Sequence, residues 1–446
     1  MKIFTIVLAL LCVSNTVAQE IPTTEAQILQ QMKYQATSQL MDKWYPLVLD
    51  YEDGGYFSEI LYDFKVGSEQ DKMIVTQARH IWATSKAVLF YKDSSFLAYA
   101  DHGFEFLKSK MWDAEHGGFY DLVNKKGVPI QNERPQKTAY GNAFGIYGLA
   151  AYYKASGNRD ALDLAKKTFY WLEENSHDKV YKGYYQSLEL DGTPIKRDAS
   201  FLSTSEIGYK DQNSSIHLLE AFTELYHVWP DELLKQRLEE LLVLIRDTIV
   251  SEDHYMNLFF LEDWTPLSFK DTSKETIAKH YYLDHVSFGH DVETAYLMLE
   301  ASEALEREDH QYTLEIGKAM VDHALEYGWD NKLGGLYDGG YYYEGSNSLE
   351  IVNSDKNWWS QAEALNTLLL MDSYFPDDEH QYKKRFKELW IYVDSYMLDH
   401  THGGWYEWGL DRRPNSRKNP KGHIWKATYH HYRALLNCIS ALEARS

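Results

Sequence analysis

Cysteine is almost absent from this chain. Of 446 residues two are Cys, Cys12 and Cys438, and Cys12 falls in an N-terminal apolar run. A mature chain with one thiol has no internal disulfide, so a large core must supply the stability. Proline is also scarce, ten in all, and no Gly/Ser-rich stretch marks a linker. The one basic, loop-like segment, DRRPNSRKNPK at Asp411–Lys421, sits inside a longer pattern and reads as a connection. Beyond the N-terminus no run approaches the roughly twenty apolar residues of a membrane-spanning helix. Positive charge is in deficit, 45 Lys and Arg against 67 Asp and Glu for a net −22, which excludes a phosphate-backbone binder and disfavours anionic ligands. With 18 His there is still no HExxH or Cys/His cluster, so neither a metal nor another cofactor is expected.

What is abundant is aromatic residues, 15 % of the chain with 13 Trp and 35 Tyr. Such rings build cores and also line sugar-binding clefts. The N-terminus has the order of an export signal: Lys2, an apolar run Ile3 to Val13, then Thr16-Val17-Ala18 as a small-residue cleavage site. The reading is a signal peptide over 1–18 and a single catalytic domain over 19–446. Leu11 before Cys12 argues against lipidation. The expected location is a bacterial periplasm or the extracellular space, with no membrane contact after signal removal.

Repetition is the main organising feature. An acidic residue, a spacer, Gly-Gly and an aromatic recur as DGGYF at Asp53–Phe57, DAEHGGFY at Asp113–Tyr120, DNKLGGLY at Asp330–Tyr337 and DHTHGGWY at Asp399–Tyr406. DKVYKGYY at Asp178–Tyr185 is a degenerate copy, and EDHYMNLFF at Glu252–Phe260 fits the remaining slot. Six copies, spaced by roughly 63 to 77 residues, fill the mature length and indicate a repeat architecture. Between the turns apolar residues recur at three and four residues, as in YGNAFGIYGLAAYY from Tyr140 and VETAYLMLEASEAL from Val292. Two helices per repeat and six repeats close naturally as an all-α (α/α)6 barrel; an open helical solenoid is the competing form.

Polar residues share the period. Arg79, Tyr140, Asn213, His290, Trp359 and His430 follow one another at roughly 61 to 77 residues, and Asn142 also recurs after its turn. Equivalent places on six inner helices meet at one end of the barrel axis, which predicts one polar, aromatic-lined pocket. Asn213 with His217 and Trp359 with Glu363 are i,i+4 pairs, and His290 with Glu293 is i,i+3, so each pair shares a helix face.

QARHIW, NSSIHLLEA, GHDVE, WWSQAEAL and WKATYHHYR together resemble the N-acylglucosamine 2-epimerase superfamily, particularly its cellobiose 2-epimerase branch. The resemblance implies an (α/α)6 barrel and an isomerase that interconverts C2 epimers of a neutral sugar or oligosaccharide, or an aldose and a ketose, without a cofactor. It implies catalytic roles for His290, His430 and Arg79. It implies substrate binding by Tyr140, Asn213, His217, Glu293, Trp359, Glu363 and Trp425. Of the adjacent pair His430 and His431, alignment selects His430. An exported member would meet an oligosaccharide, which favours a cellobiose- or mannobiose-type substrate.

The chemistry needs these residue types. Epimerisation removes a C2 proton beside an aldehyde and returns one to the opposite face, work suited to two imidazoles, while a guanidinium stabilises the enediolate. Three other readings stand beside it. A proton carried from C2 to C1 gives a ketose. A glycoside or uronyl hydrolase on the same barrel would use Glu293 and Glu363, with Asp291 in reserve. A carbohydrate-binding protein would need the tryptophans without the histidines.

Overall fold

The computed structural model describes residues 24–131, 135–197, 206–345 and 348–445. The signal-peptide reading and most of the loop before Lys210 lie outside them. Thirteen α-helices of ten or more residues follow in chain order among the described residues. They are α1 (Glu25–Tyr34), α2 (Ile74–Tyr91), α3 (Leu97–Phe106), α4 (Ala139–Ser156), α5 (Arg159–Asn175), α6 (Gln212–Tyr226) and α7 (Glu232–Leu244). Then come α8 (Lys274–Asp284), α9 (Phe288–Ala304), α10 (His310–Tyr327), α11 (Trp358–Tyr374), α12 (Tyr382–Tyr396) and α13 (Tyr429–Ala444).

Helices α2, α4, α6, α9, α11 and α13 pack each on the next, and α13 returns to α2, closing an inner ring. Each carries an outer partner: α3, α5, α7, α10 and α12 follow their inner helices, and α1 packs on α13. The inner helices are buried almost all round, with polar side chains gathered in their first turns, whereas outer helix α5 is amphipathic, burying Leu162, Ala165, Phe169 and Leu172 on one stripe. The (α/α)6 barrel is therefore present, and α8 is the one addition to the twelve-helix plan.

The recurring turn has a physical basis that its glycines only hint at. In Asp113–Gly118, the Asp113 N–H donates to Gly118 O, and Oδ1 accepts from the Glu115 and His116 N–H groups. Oδ2 takes Lys137 Nζ at 2.7 Å, and both side chains are buried. The same construction pairs Asp50 with Lys72, Asp178 with Lys210, Asp330 with Lys356 and Asp399 with Lys421, at 2.7–2.8 Å. In the first copy the structural acid is thus Asp50 and not Asp53. Lys421, in the segment read as a mere connection, is the buried lysine of the sixth copy. Gly118 has φ +73°, and a Cβ there would meet the Trp171 ring at 2.8–2.9 Å, so only glycine fits.

Three of the lysines lie on short strands that pair with the next repeat, and Lys356 meets it through its carbonyl, which accepts from Gly409 N–H. Lys72 is in register with Val123, Lys137 with Leu188 and Lys210 with Phe260. The last lysine closes the circle, since Lys421 N–H donates to Ile60 O. Fixed side chains on the inner helices complete the lock: Gln77, Asn142 and Gln361 accept from the backbone N–H of Tyr56, Phe119 and Leu336. Asn142 is therefore a fold residue. Asp291 accepts from Met256 N–H in the same way and is fully buried, with burial pushing its carboxyl well above the usual range, so it serves the turn.

The fourth copy abandons the pair as a unit. Ser251 stands in the Asp position, its N–H donating to Tyr255 O, and Val286, paired with Gly340, stands in the lysine position. Losing one partner of a buried ion pair strands a charge, at about 3–5 kcal/mol, while replacing both is close to neutral. Lys137→Met is accordingly expected to lower stability by about 3 kcal/mol or more. The Asp113→Ser/Lys137→Val double variant, which copies the fourth repeat, should recover at least half of that in urea unfolding; additive losses would contradict the pair account. Burial pushes the Asp178 carboxyl up, but Lys210 and two backbone N–H groups outweigh it and hold it at about 2. Its contribution is thus complete above pH ~4 and lost as pH falls toward 2.

Candidate active site

All six inner helices start at one end of the barrel, and the predicted residues sit in their first two turns. Tyr140, Asn213, Trp359 and His430 are second in their helices and His290 third. Arg79, His217, Glu293 and Glu363 are sixth. The side chains therefore spring from two layers one helical turn apart, with Arg79 rooted in the deeper layer and reaching up to Tyr140. Thr138, Asp211 and Asn357 cap their helices through side-chain acceptors, which fixes where each first turn begins.

Nine of the ten predicted residues line one cleft of about 380 Å³. The exception is Glu363, fully buried behind His430, where its Oε1 lies 2.8 Å from His430 Nδ1. It touches the histidine and not the cleft, which corrects the substrate-binding role expected of it. His431 points away, its ring 5.5 Å from Trp405, whereas His430 faces the cleft. The Trp359 ring lies 4.6 Å from His290 and 5.8 Å from His430. Trp425, 41 % exposed, stands at the mouth.

Every catalytic candidate is oriented by a neighbour. His290 Nδ1 is 2.7 Å from Ser287 Oγ, and His217 Nδ1 is 2.8 Å from Glu220 Oε2. Arg79 donates to Trp425 O at 3.1 Å and to Tyr140 Oη at 3.2 Å, its guanidinium lying against the Phe144 and Tyr429 rings, which are perpendicular to each other. Beneath them Arg433 donates to Glu293 Oε1 at 2.6 Å and Glu363 Oε1 at 2.8 Å, and also pairs with Glu220. One buried cation thus holds three carboxylates, two of which orient His217 and His430. Glu293, Glu363 and His430 are close enough to hold a metal ion, but Arg433 already supplies the positive charge between the two carboxylates, so the set does not fit a resident metal.

Arg433 and Glu220 were not foreseen. Their signal was in view, since each is three residues past a predicted histidine, in WKATYHHYR and NSSIHLLEA. Tyr282 and His285, which also line the cleft, had no such signal, because α8 carries them and belongs to no repeat. The charge states follow from burial. Burial, with His217 and His285 nearby, brings the His290 imidazole down to about 3. Burial and then the cations Arg79 and Arg433 hold His430 well below its usual value. Burial outweighs Arg433 and pushes Glu363 well above the carboxylate range.

A match of residues 55–434 to the N-acylglucosamine 2-epimerase family model covers most of the chain. The chain belongs to this family. It is similar to the cellobiose 2-epimerase of Dictyoglomus turgidum, 29 % identical over 88 % of this chain and 93 % of that one, and to that of Bacteroides fragilis, 28 % identical over 93 % and 98 %. Among solved structures, a cellobiose 2-epimerase from Spirochaeta thermophila superposes with a TM-score of 0.79 at 29 % identity, covering 95 % of this chain and all of that one. A family 76 α-mannanase from Bacteroides thetaiotaomicron, 11 % identical with a TM-score of 0.57, shares the barrel alone. The protein is accordingly a carbohydrate epimerase/isomerase.

Nitrogen-resolved NMR of the histidine rings should show His290 neutral from pH 5 to 8, as a group held near 3 must be. An imidazolium signal from His290 at pH 7 in the free protein would contradict the desolvated pocket described here.

Proposed function

We propose that this enzyme is a 2-epimerase acting at the reducing end of a neutral β-linked disaccharide of the cellobiose or mannobiose type, with His290 and His430 as the two proton-transfer groups. The observation that carries the reading is that two neutral imidazoles, each fixed through Nδ1, face one cleft beside a buried guanidinium.

The sugar reacts as its open-chain aldehyde. His290, with Nδ1–H donated to Ser287 Oγ, presents Nε2 as a base and takes the C2 proton, becoming imidazolium. The electron pair moves onto the carbonyl oxygen as an enediolate. Arg79, whose Nε is buried without a partner, and the positive ends of the six inner helices stabilise that charge where it develops. His430 and Glu363 together hold two protons. With one on Glu363 and donated to Nδ1, the neutral His430 carries the other as Nε2–H and is an acid. It delivers that proton to the opposite face of C2 while Glu363 passes its own to Nδ1. One C–H bond breaks, one forms, and a single proton has moved from the dyad to His290; the reverse reaction uses the same groups in exchanged roles.

Substrate length follows from the aromatic stations. Trp359 lies inside against both histidines, and Trp425 and Tyr282, 41 % and 62 % exposed, stand at the rim, one place for the reacting ring and one for the next. The cleft volume lies in the range of small-ligand sites. The relatives named cellobiose 2-epimerase support this, as does the signal-like N-terminus, from which we also propose export. A ketose-forming reaction is the second reading, favoured by the likeness to the D-mannose isomerase of Marinomonas mediterranea, 25 % identical over 90 % of this chain. The hydrolase reading loses its geometry, since Glu293 and Glu363 share one Arg433 nitrogen and Glu363 does not reach the cleft, whereas hydrolysis needs two carboxylates across the bond.

Proton NMR in deuterated water with cellobiose should show deuterium entering C2 and a new mannose-type reducing end; a ketose would move the assignment to isomerase, and shortened sugars would overturn it. His290→Ala and His430→Ala should each lower epimerisation by at least about 100-fold with the melting temperature kept. Trp425→Ala should raise KM about tenfold, a stacking loss near 1.4 kcal/mol, with kcat little changed.

A further inference from the structure

The fourth repeat differs from the other five at three coordinated positions. Besides Ser251 for Asp and Val286 for Lys, Asn257 stands where the turn aromatic belongs, the place of Tyr120, Tyr185, Tyr337 and Tyr406. In those repeats the lysine lies within about 4–6 Å of that ring and fills the space. In the fourth repeat the space is open. Val286 and Asn257 line a cleft of about 420 Å³, as large as the active-site cleft.

That cleft has its own lining chemistry. Tyr255 and Tyr342 stack at 5.4 Å on its wall, and Tyr342 Oη lies 2.9 Å from His323 Nε2, which fixes the ring. Asp284 accepts from Tyr341 Oη at 2.7 Å through Oδ2, while its Oδ1 is buried without a partner. Asp253, Asp271 and Glu344 add carboxylates against the single Lys270, so the cleft repels anions. These carboxylates do not converge as a cation site: the only groups of three metal-ligating side chains within 4.8 Å among the described residues lie elsewhere. Dispersed acceptors beside tyrosine faces suit the hydroxyls and C–H faces of an uncharged sugar.

The position ties it to catalysis. Leu258 lines both clefts, and the end of α8 divides them, Asp284 facing one and His285 the other. We infer that the cleft opened by the missing Lys–Asp pair is a second saccharide-binding site, taking a neutral oligosaccharide next to the active site. The identity of its ligand as a sugar rests on the function proposed above.

The test is calorimetric titration of cellotetraose, with mannotetraose in parallel, into the full-length protein and two variants. Ser268→Trp, on an exposed loop, fills the cleft without removing a packed ring, and Tyr255→Ala removes a stacking face. The expected result is two binding events per chain, one of which weakens more than tenfold in both variants while cellobiose epimerisation stays within twofold. Wild-type stoichiometry and affinity in Ser268→Trp would overturn the proposal, as would a single event in the wild-type protein that the variant leaves intact. Absence of epimerisation in the wild type would remove the functional reading alone, because the Ser268→Trp comparison does not depend on turnover.

Discussion

The buried Lys–Asp pair is the contact on which the rest of the molecule depends. Each aspartate closes a glycine turn with one oxygen and binds a lysine with the other, and that lysine sits where the chain meets the next repeat. A single ion pair therefore sets the shape of one hairpin and its offset from its neighbour. Lys421 on Ile60 joins the last repeat to the first, so the ring closes without a disulfide. Removing two charges from water is costly unless other groups stabilise them, and here turn backbone groups and the faces of aromatic rings contribute.

Because the lysine precedes its inner helix by two residues in four of the repeats, the same contact fixes where those helices begin. That is why their N-termini share one level and their second and sixth residues form two layers. The upper layer provides the groups that face substrate. The lower layer adds Arg79, His217 and Glu293 to the cleft wall, and Arg433 with its three carboxylates holds the assembly from beneath. Helix N-termini converging on one cleft favour negative charge, which an enediolate develops and a neutral ground-state sugar lacks. On the mechanism we propose, the scaffold thus favours the intermediate over the substrate, the condition for catalysis.

Much of this was legible in sequence because a repeat shows itself by period. The six turns gave the number of hairpins, the number gave closure, and residues in the same phase gave the cleft. What stayed hidden had no period or had the wrong partner in view. Asp53 stood nearest the glycines, yet Asp50 does the pairing, because the turn geometry counts five residues back from the second glycine. Lys421 lay in a segment that composition marked as loop. Glu363 had the right spacing for the cleft but is covered by His430, a matter of depth that helical phase cannot resolve. Tyr282 and His285 come from α8, an insertion in the fourth repeat, and an insertion leaves no trace in a periodicity.

The central claim is that two histidines serve opposite faces of one carbon. It is tested most directly by C2 deuterium exchange in His290→Asn and His430→Asn, each given cellobiose and its C2 epimer separately. The account predicts that neither variant epimerises, that each still exchanges the C2 proton of one epimer, and that the two variants retain opposite epimers. If one variant loses exchange with both sugars while the other keeps both, a single base does the work and the account is wrong.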